Sequence, residues 1–444
     1  MDFERSLFDR RGYERQIDRL YRRRLVGRRV FSLKQEGVPL AAVSLHRAHV
    51  ARRLAAAVRR GRYEFAPGRV FTIFTGGKER DVYTFRLTDL ILHGLVAEVV
   101  GQAVLPRLSP RLFSYRRGLS WWSAVSLLAA YIRAARRSSG DPRLRGLHVI
   151  RRDVDSYTDS IPVHPASPLW PMLKSLLDRS ARPVSPATWK VVEQVVRPDF
   201  YSKDGGLASL VRGMPTGQPI ACVLFNLYLN GLDHELDSIP GGFYARYSDD
   251  LLFAHPEARV VQEAARSIDR ALAGLGLQVK PDKSLDLYLT GAGRPSGVWP
   301  EARGTTRVPF LGTFVFADGT VALEGEKMRE LARDLQARAR RTARALEGMG
   351  QEAVGRAVCA ALNKALDPES HLFQHKSAGL LRRAITHRPQ LAQLDHLAAR
   401  AVLGAVTGQK SVRAFRLIPY RKIRQEWGLV SLLQARNKWP KAAV

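Results

Sequence analysis

Two adjacent acids, Asp249 and Asp250, stand between two apolar runs in the segment 243–255, FYARYSDDLLFAH. Phe243, Ala245 and Tyr247 alternate with Tyr244, Arg246 and Ser248, and Leu251, Leu252 and Phe253 form the second run. Strand-like composition on both sides of a short polar step predicts a β-hairpin with the acids at its tip. A turn is an ordinary place for one Asp, whose side chain bonds the local backbone. Two acids flanked by long apolar strands repel each other at a cost unless a cation is present. Rigidly held carboxylate oxygens, with room left for water and phosphate, suit a hard divalent cation.

A site for two cations needs a further carboxylate. The segment 148–155, HVIRRDVD, has a short apolar run and then Asp153 where a strand would end. An acid at that strand end and an acid pair at the hairpin tip can meet if the two strands are neighbours in one sheet. Two cations held this way clamp the attacking and leaving oxygens of a phosphoryl transfer.

These residues carry a resemblance. Tyr247-Ser-Asp-Asp250 resembles the YxDD box of reverse transcriptases, and Asp153 with Ser160-Ile161 resembles their first aspartate motif. Gly213-Met-Pro-Thr-Gly217 and the following segment from Gln218 to Asn226 are similar to the loop and helix between the two acid motifs. The run from Gly276 to Lys283 resembles the next motif with its lysine, and Phe310-Leu-Gly312 the primer-grip hairpin. Upstream, Gly76-Gly-Lys-Glu-Arg80 and Ser114-Tyr-Arg-Arg-Gly118 resemble fingers elements of bacterial reverse transcriptases related to group II intron enzymes. The similarity covers roughly residues 70 to 320, with its motifs in order.

The resemblance implies an α+β, right-hand polymerase fold with fingers, palm and thumb, and helical extensions at both ends. It implies an RNA-directed DNA polymerase in which Asp153, Asp249 and Asp250 are catalytic and hold two Mg²⁺ ions, or Mn²⁺ in their place. Lys78 and Arg80 would lie over the triphosphate of a deoxynucleotide. Tyr157, Thr158, Gly217, Gln218 and Lys283 would complete the substrate site. Tyr115, Arg116 and Arg117 would meet the template, and Arg333, Arg340, Arg341 and Arg344 the product duplex. The implied partners are an RNA template, a DNA product, deoxynucleoside triphosphates and a structured non-coding RNA, with no membrane. Stand-alone bacterial enzymes, including those of antiviral defence, are the nearest likeness. A group II intron-derived enzyme and a non-catalytic RNA-binding scaffold are the alternatives. Two departures stand out. Thr216 occupies a position where many family members have Gln. Thr158 falls where a Phe or Tyr often blocks a ribose 2′-hydroxyl, with Tyr157 beside it.

Charge points the same way. The 444 residues hold 71 Lys and Arg against 41 Asp and Glu, a net charge of +30. Like charges this numerous oppose compaction, which a polyanionic partner relieves. At 45% apolar residues the chain is no disordered basic tail. The two cysteines, Cys222 and Cys359, show no metal spacing and read as packing residues in a reducing compartment. The N-terminus lacks an apolar signal core, and His93 and Glu98 interrupt the longest apolar stretch, 90–104. A cytoplasmic protein without a membrane span is expected.

The expected division is a basic helical extension over 1–60, fingers over 61–147 and palm over 148–320. A thumb-like basic helix follows over 321–348, then a helical domain over 349–444. Within the palm, 158–213 reads as an insertion with helices near 169–177 and 188–196. Asn226 is expected to tie two loops together. In 327–347, Met328, Leu331, Leu335 and Ala339 recur at helical spacing with the arginines elsewhere.

Overall fold

The computed structural model describes residues 2–25, 34–35, 38–75, 78–138, 146–178, 183–214, 217–366, 385–409 and 412–438. Helices α1 (Arg10–Leu25) and α2 (Arg47–Arg59) open the fold. A hairpin of β1 (Gly68–Thr75) and β2 (Lys78–Thr84) precedes α3 (Leu87–Val104) and α4 (Trp121–Ser138). Strand β3 (Leu147–Asp153) leads to α5 (Leu169–Asp178) and α6 (Pro186–Val196). Ser185 caps α6 by accepting from the Thr188 amide, and Pro186 fills its first turn, where no amide donor is needed. Short strands β4 (Asp199–Tyr201) and β5 (Leu207–Ser209) precede α7 (Pro219–Tyr228). The acid hairpin is β6 (Phe243–Tyr247) and β7 (Asp250–His255), followed by α8 (Ala258–Gly274). Then come β8 (Leu285–Leu289), β9 (Arg303–Thr305), β10 (Arg307–Phe310), β11 (Thr313–Phe316) and β12 (Val321–Leu323). Helices α9 (Gly325–Arg344), α10 (Gln351–Leu366) and α11 (Arg388–Thr407) close the larger elements, α11 ending on Gly408 in the left-handed region.

The chain thus has the expected α+β architecture, with open mixed sheets and helical segments at both ends. It divides into two compact units. The first comprises 1–117, 152–239 and 264–284; the second comprises 118–151, 240–263 and 285–444.

In the first unit, α3 is apolar on all sides and buried along most of its length against α1 and α7. By length and composition alone it is the one helix among the described residues that could cross a membrane, but it is mostly buried inside the fold, as a core helix is. His93, read in the sequence as an interruption, is fully buried between Phe65 and Phe85. Strands β1 and β2 pair antiparallel, and β4 adds to β1 in parallel to give a sheet ordered β2-β1-β4-β5.

In the second unit, the sheet order is β9-β8-β3-β7-β6, so β3 neighbours the acid hairpin strand β7. Strand β7 is buried throughout. Helix α4 packs on β6 and β11. Helices α9, α10 and α11 pack on one another, α9 burying Met328, Leu331, Leu335 and Ala339. Each larger side chain of that face contributes about 1.5–3 kcal/mol by leaving water. Cys359 is buried in this helical group, where desolvation pushes its thiol up to about 12. Cys222, on α7, is half-buried.

Candidate active site

Register places the two acids. Tyr247 on β6 pairs with Asp250 on β7, leaving Ser248 and Asp249 as the turn. Ser248 takes a left-handed φ of +60°, which a residue with a side chain adopts at a cost. Arg246, fully buried, donates from Nη1 to the Ser248 carbonyl at 3.1 Å and so pins the turn from below. Asp249 is half-exposed in the turn, while Asp250 is buried. Arg151 on β3 grips Asp250 with a two-pronged fork, Nε to Oδ1 at 2.8 Å and Nη2 to Oδ2 at 2.7 Å. Two parallel charge-assisted bonds are among the stronger polar contacts a protein makes. Arg151 was not anticipated from sequence. It lies two positions before Asp153, hence on the same face of a strand, which is the one signal that could have found it.

In the first unit, Asp153 is buried at the end of β3. Lys283 Nζ lies 3.3 Å from both of its carboxylate oxygens. The backbone fixes this pairing: the Lys280 amide donates to the Asp153 carbonyl at 2.7 Å, and the Asp155 amide to Gln278 at 2.8 Å. The segment from Gly276 to Lys283 therefore runs alongside the first acid. Tyr157 turns inward, 2% exposed, its hydroxyl donating to the Phe225 carbonyl on α7 at 2.5 Å. Thr158 faces outward, its hydroxyl 3.4 Å from Asp159.

Gly213 packs against the same segment. Its φ is +75°, and a Cβ there would lie 3.0 Å from the Asp159 backbone, so a side chain would be both strained and crowded. Pro215 and Thr216 lie outside the described residues. Gly217 (φ +92°) is exposed, and Gln218 is buried with neither amide atom hydrogen-bonded among the described residues. Asn226 is a buried tie, but from helix α7 to the 114 loop rather than between two loops, donating to the Ser114 carbonyl at 2.9 Å and accepting from its hydroxyl at 3.0 Å.

The remaining expected contacts are spread widely. Lys78 and Arg80 sit on β2 opposite Thr75 and Ile73. Their side chains, like Gly76 and Gly77, lie outside what the structure describes. Tyr115 is 53% exposed at φ +54°, and Arg117 is exposed. Arg116 folds back, Nη1 donating to the Ser109 and Leu112 carbonyls at 2.7 and 3.0 Å, and burial lowers its pKa. It holds its own loop in shape. Arg333, Arg340, Arg341 and Arg344 are all exposed on α9.

Carboxylates of this kind are the donors a hard divalent cation takes. Among the described residues, however, no group of three or more His, Cys, Asp and Glu side chains could hold a metal. Arg151 and Lys283 occupy two of the three carboxylates instead.

No curated protein matches this chain in sequence. Among solved structures, telomerase from Candida albicans with a TWJ fragment of telomeric RNA is similar at TM-score 0.45 and 12% identity, covering 90% of this chain and 71% of that one. Apo telomerase from Candida tropicalis is similar at TM-score 0.46 and 10% identity, with 82% of this chain covered and 59%, less than two thirds, of the other. Residues 176–315 match the family described as reverse transcriptase (RNA-dependent DNA polymerase).

Proposed function

We propose that the protein is an RNA-directed DNA polymerase, extending a primer 3′-hydroxyl with deoxynucleoside triphosphates and releasing pyrophosphate. The observation that carries this reading is the placement of Asp249 and Asp250 at the two-strand turn inside the family-matched stretch. Asp153, Asp249 and Asp250 are the carboxylates that would hold Mg²⁺, or Mn²⁺ in its place. A divalent cation bound there supplies Lewis-acid stabilisation of the attacking and leaving oxygens. Lys283, beside Asp153, supplies a positive charge that can follow phosphate charge as it moves to the leaving group. Gly213 and Gly217 let backbone approach a nucleotide closely, and Gln218 offers an amide without a partner among the described residues. Lys78 and Arg80 would meet the triphosphate, Tyr115 and Arg117 the template, and the α9 arginines the duplex.

A second reading has an observation of its own. Because Asp250 and Asp153 already hold Arg151 and Lys283, the fold is electrostatically satisfied at these carboxylates without metal, as a non-catalytic RNA-binding scaffold would be. Primer extension on RNA and DNA templates with Mg²⁺ separates the two. Incorporation by the wild type and its loss in Asp249→Asn support the polymerase; RNA binding without incorporation on either template supports the scaffold. The likeness to stand-alone bacterial enzymes extends the proposal to antiviral defence. It is tested by survival of phage-challenged cells carrying wild type or Asp249→Asn.

A further inference from the structure

We propose that a cavity beside α11 binds a nucleoside 5′-phosphate, with the phosphate on Arg424 and Arg421 and the base against Tyr420. The cavity lies within the second unit. Its volume is about 810 Å³, inside the range of about 300–1,000 Å³ usual for small-molecule sites. Among the described residues its walls come from α11, from the segment Tyr420–Gln425 and from 428–435, and not from α9 or the acid hairpin. The chain shapes it with an uncommon turn, a π-helical segment over Lys422–Glu426. The Trp427 amide donates to the Lys422 carbonyl, five positions back, at 3.0 Å, a wide winding often found at functional sites. This wall is fixed from behind. Ile423 and Trp427 are buried, and the Trp427 indole donates to Glu352 on α10 at 2.7 Å. The opposite rim is fixed as well, Asn363 on α10 donating to the Gly428 carbonyl at 2.7 Å and accepting from the Val430 amide at 2.8 Å. The site is therefore formed before a ligand arrives.

The lining supplies two guanidinium groups and a flat ring. Arg424 is recessed, at 14% side-chain exposure, and its buried Nη1 has no hydrogen-bond partner among the described residues. Asp395 lies 4.0 Å away and balances the charge without bonding it. Its oxygens accept instead from the Ser431 hydroxyl and from the Leu432 and Leu433 amides. A buried donor without an acceptor costs stability, which an incoming anion recovers. Arg421 is exposed at the mouth and oriented by donation from Nε to Gln425 Oε1 at 2.7 Å. Two guanidinium groups suit a terminal phosphate, which carries about two negative charges where a phosphodiester carries one. Tyr420 is 39% exposed, with its ring centre 5.9 Å from the Arg424 guanidinium. A base next to the phosphate stacks on that ring. An acidic peptide would leave the ring unused.

The test is calorimetric titration of the full chain at physiological salt without divalent cations. Adenosine 5′-monophosphate should bind, and more tightly than inorganic phosphate or adenosine. Arg424→Gln and Arg421→Gln should each weaken it by about tenfold or more. Arg421 is exposed, so its variant carries the test even where Arg424→Gln fails to fold. Tyr420→Ala should weaken the monophosphate by about fivefold or more and leave inorganic phosphate unchanged. Arg259→Gln, which removes one charge from the exposed face of α8, should stay within about twofold of wild type. Displacement of the bound monophosphate by short oligoribonucleotides separates the two sources of this ligand. Displacement by a 5′-phosphorylated strand but not by its 5′-hydroxyl twin assigns the site to an RNA end. Displacement by neither assigns it to a free nucleotide. The proposal is overturned if wild type does not bind the monophosphate, if Tyr420→Ala binds it like wild type, or if Arg421→Gln loses no more than Arg259→Gln. Displacement by both strands alike, or by a polyglutamate peptide, overturns it too.

Discussion

At the scale of single residues, the contrast between Tyr157 and Thr158 decides how a sugar could be sensed. Tyr157 is spoken for: its ring lies in the core and its hydroxyl bonds the Phe225 carbonyl. Tyr157→Phe should lower stability by about 0.5–1.5 kcal/mol through that bond, and Tyr157→Ala by about 3–5 kcal/mol through the cavity as well. Chemical denaturation midpoints measure both. Thr158 is exposed, so Thr158→Phe meets no core to overpack. If its side chain lies under the nucleotide sugar, Thr158→Phe raises the ratio of kcat/KM for deoxy- over ribonucleotides, while Tyr157→Phe leaves the ratio unchanged. Equal ratios in all three proteins would place sugar selection elsewhere. For the acids, Asp249→Asn should cost incorporation more than the roughly 10–100-fold lost on removing a partner outside a ligand set. Binding to RNA should survive, because net charge drives it.

Among the elements, α3 carries a pH dependence. His93 is buried with neither ring nitrogen hydrogen-bonded among the described residues, and desolvation pushes its pKa down to about 3. A histidine free in the unfolded chain titrates near 6.5. The folded state keeps it neutral, so its contribution is fully present above pH 6.5 and is lost as pH falls towards 3. Between pH 7 and 5 the loss should be about 2 kcal/mol, and His93→Phe should remove that part of the slope in unfolding measured at the two pH values. Elements were legible where the pattern is local. Period-two alternation gave the β6–β7 hairpin, and the spacing of Met328, Leu331, Leu335 and Ala339 gave α9 with its arginines outside. The helices of the 158–213 insertion fall where apolar spacing put them. What is non-local was not legible. Strands β4 and β5 have three residues each, too few for a periodic signal, and exist because β1 offers an edge to pair with. Arg151 and Asp250 are 99 positions apart, and only sheet order makes them partners. The sequence showed two acids and suggested a cation; the structure supplies an arginine.

At the scale of the whole molecule, the net charge of +30 is the dominant long-range term. It predicts tight, salt-sensitive binding to nucleic acid before any base is read, because each neutralised phosphate releases a counterion. The exposed arginines of α9 are the part of that charge best placed for a test. Arg333, Arg340, Arg341 and Arg344 face water, while the packing of α9 rests on its opposite, apolar face. Replacing all four with Gln should therefore leave the unfolding free energy nearly unchanged, each surface site contributing within about 0.5 kcal/mol. Affinity for a primer–template duplex should fall and the slope of log affinity against log salt should flatten. Each lost phosphate contact removes about 0.9 from that slope for B-DNA. An RNA–DNA hybrid is A-form, so the direction of change is the prediction there. The weakening should also be uniform across sequences, since phosphate contacts carry no base information. Binding isotherms at four salt concentrations on two unrelated duplexes measure all of this at once. An unchanged slope with unchanged stability would show that α9 turns its arginines towards water alone.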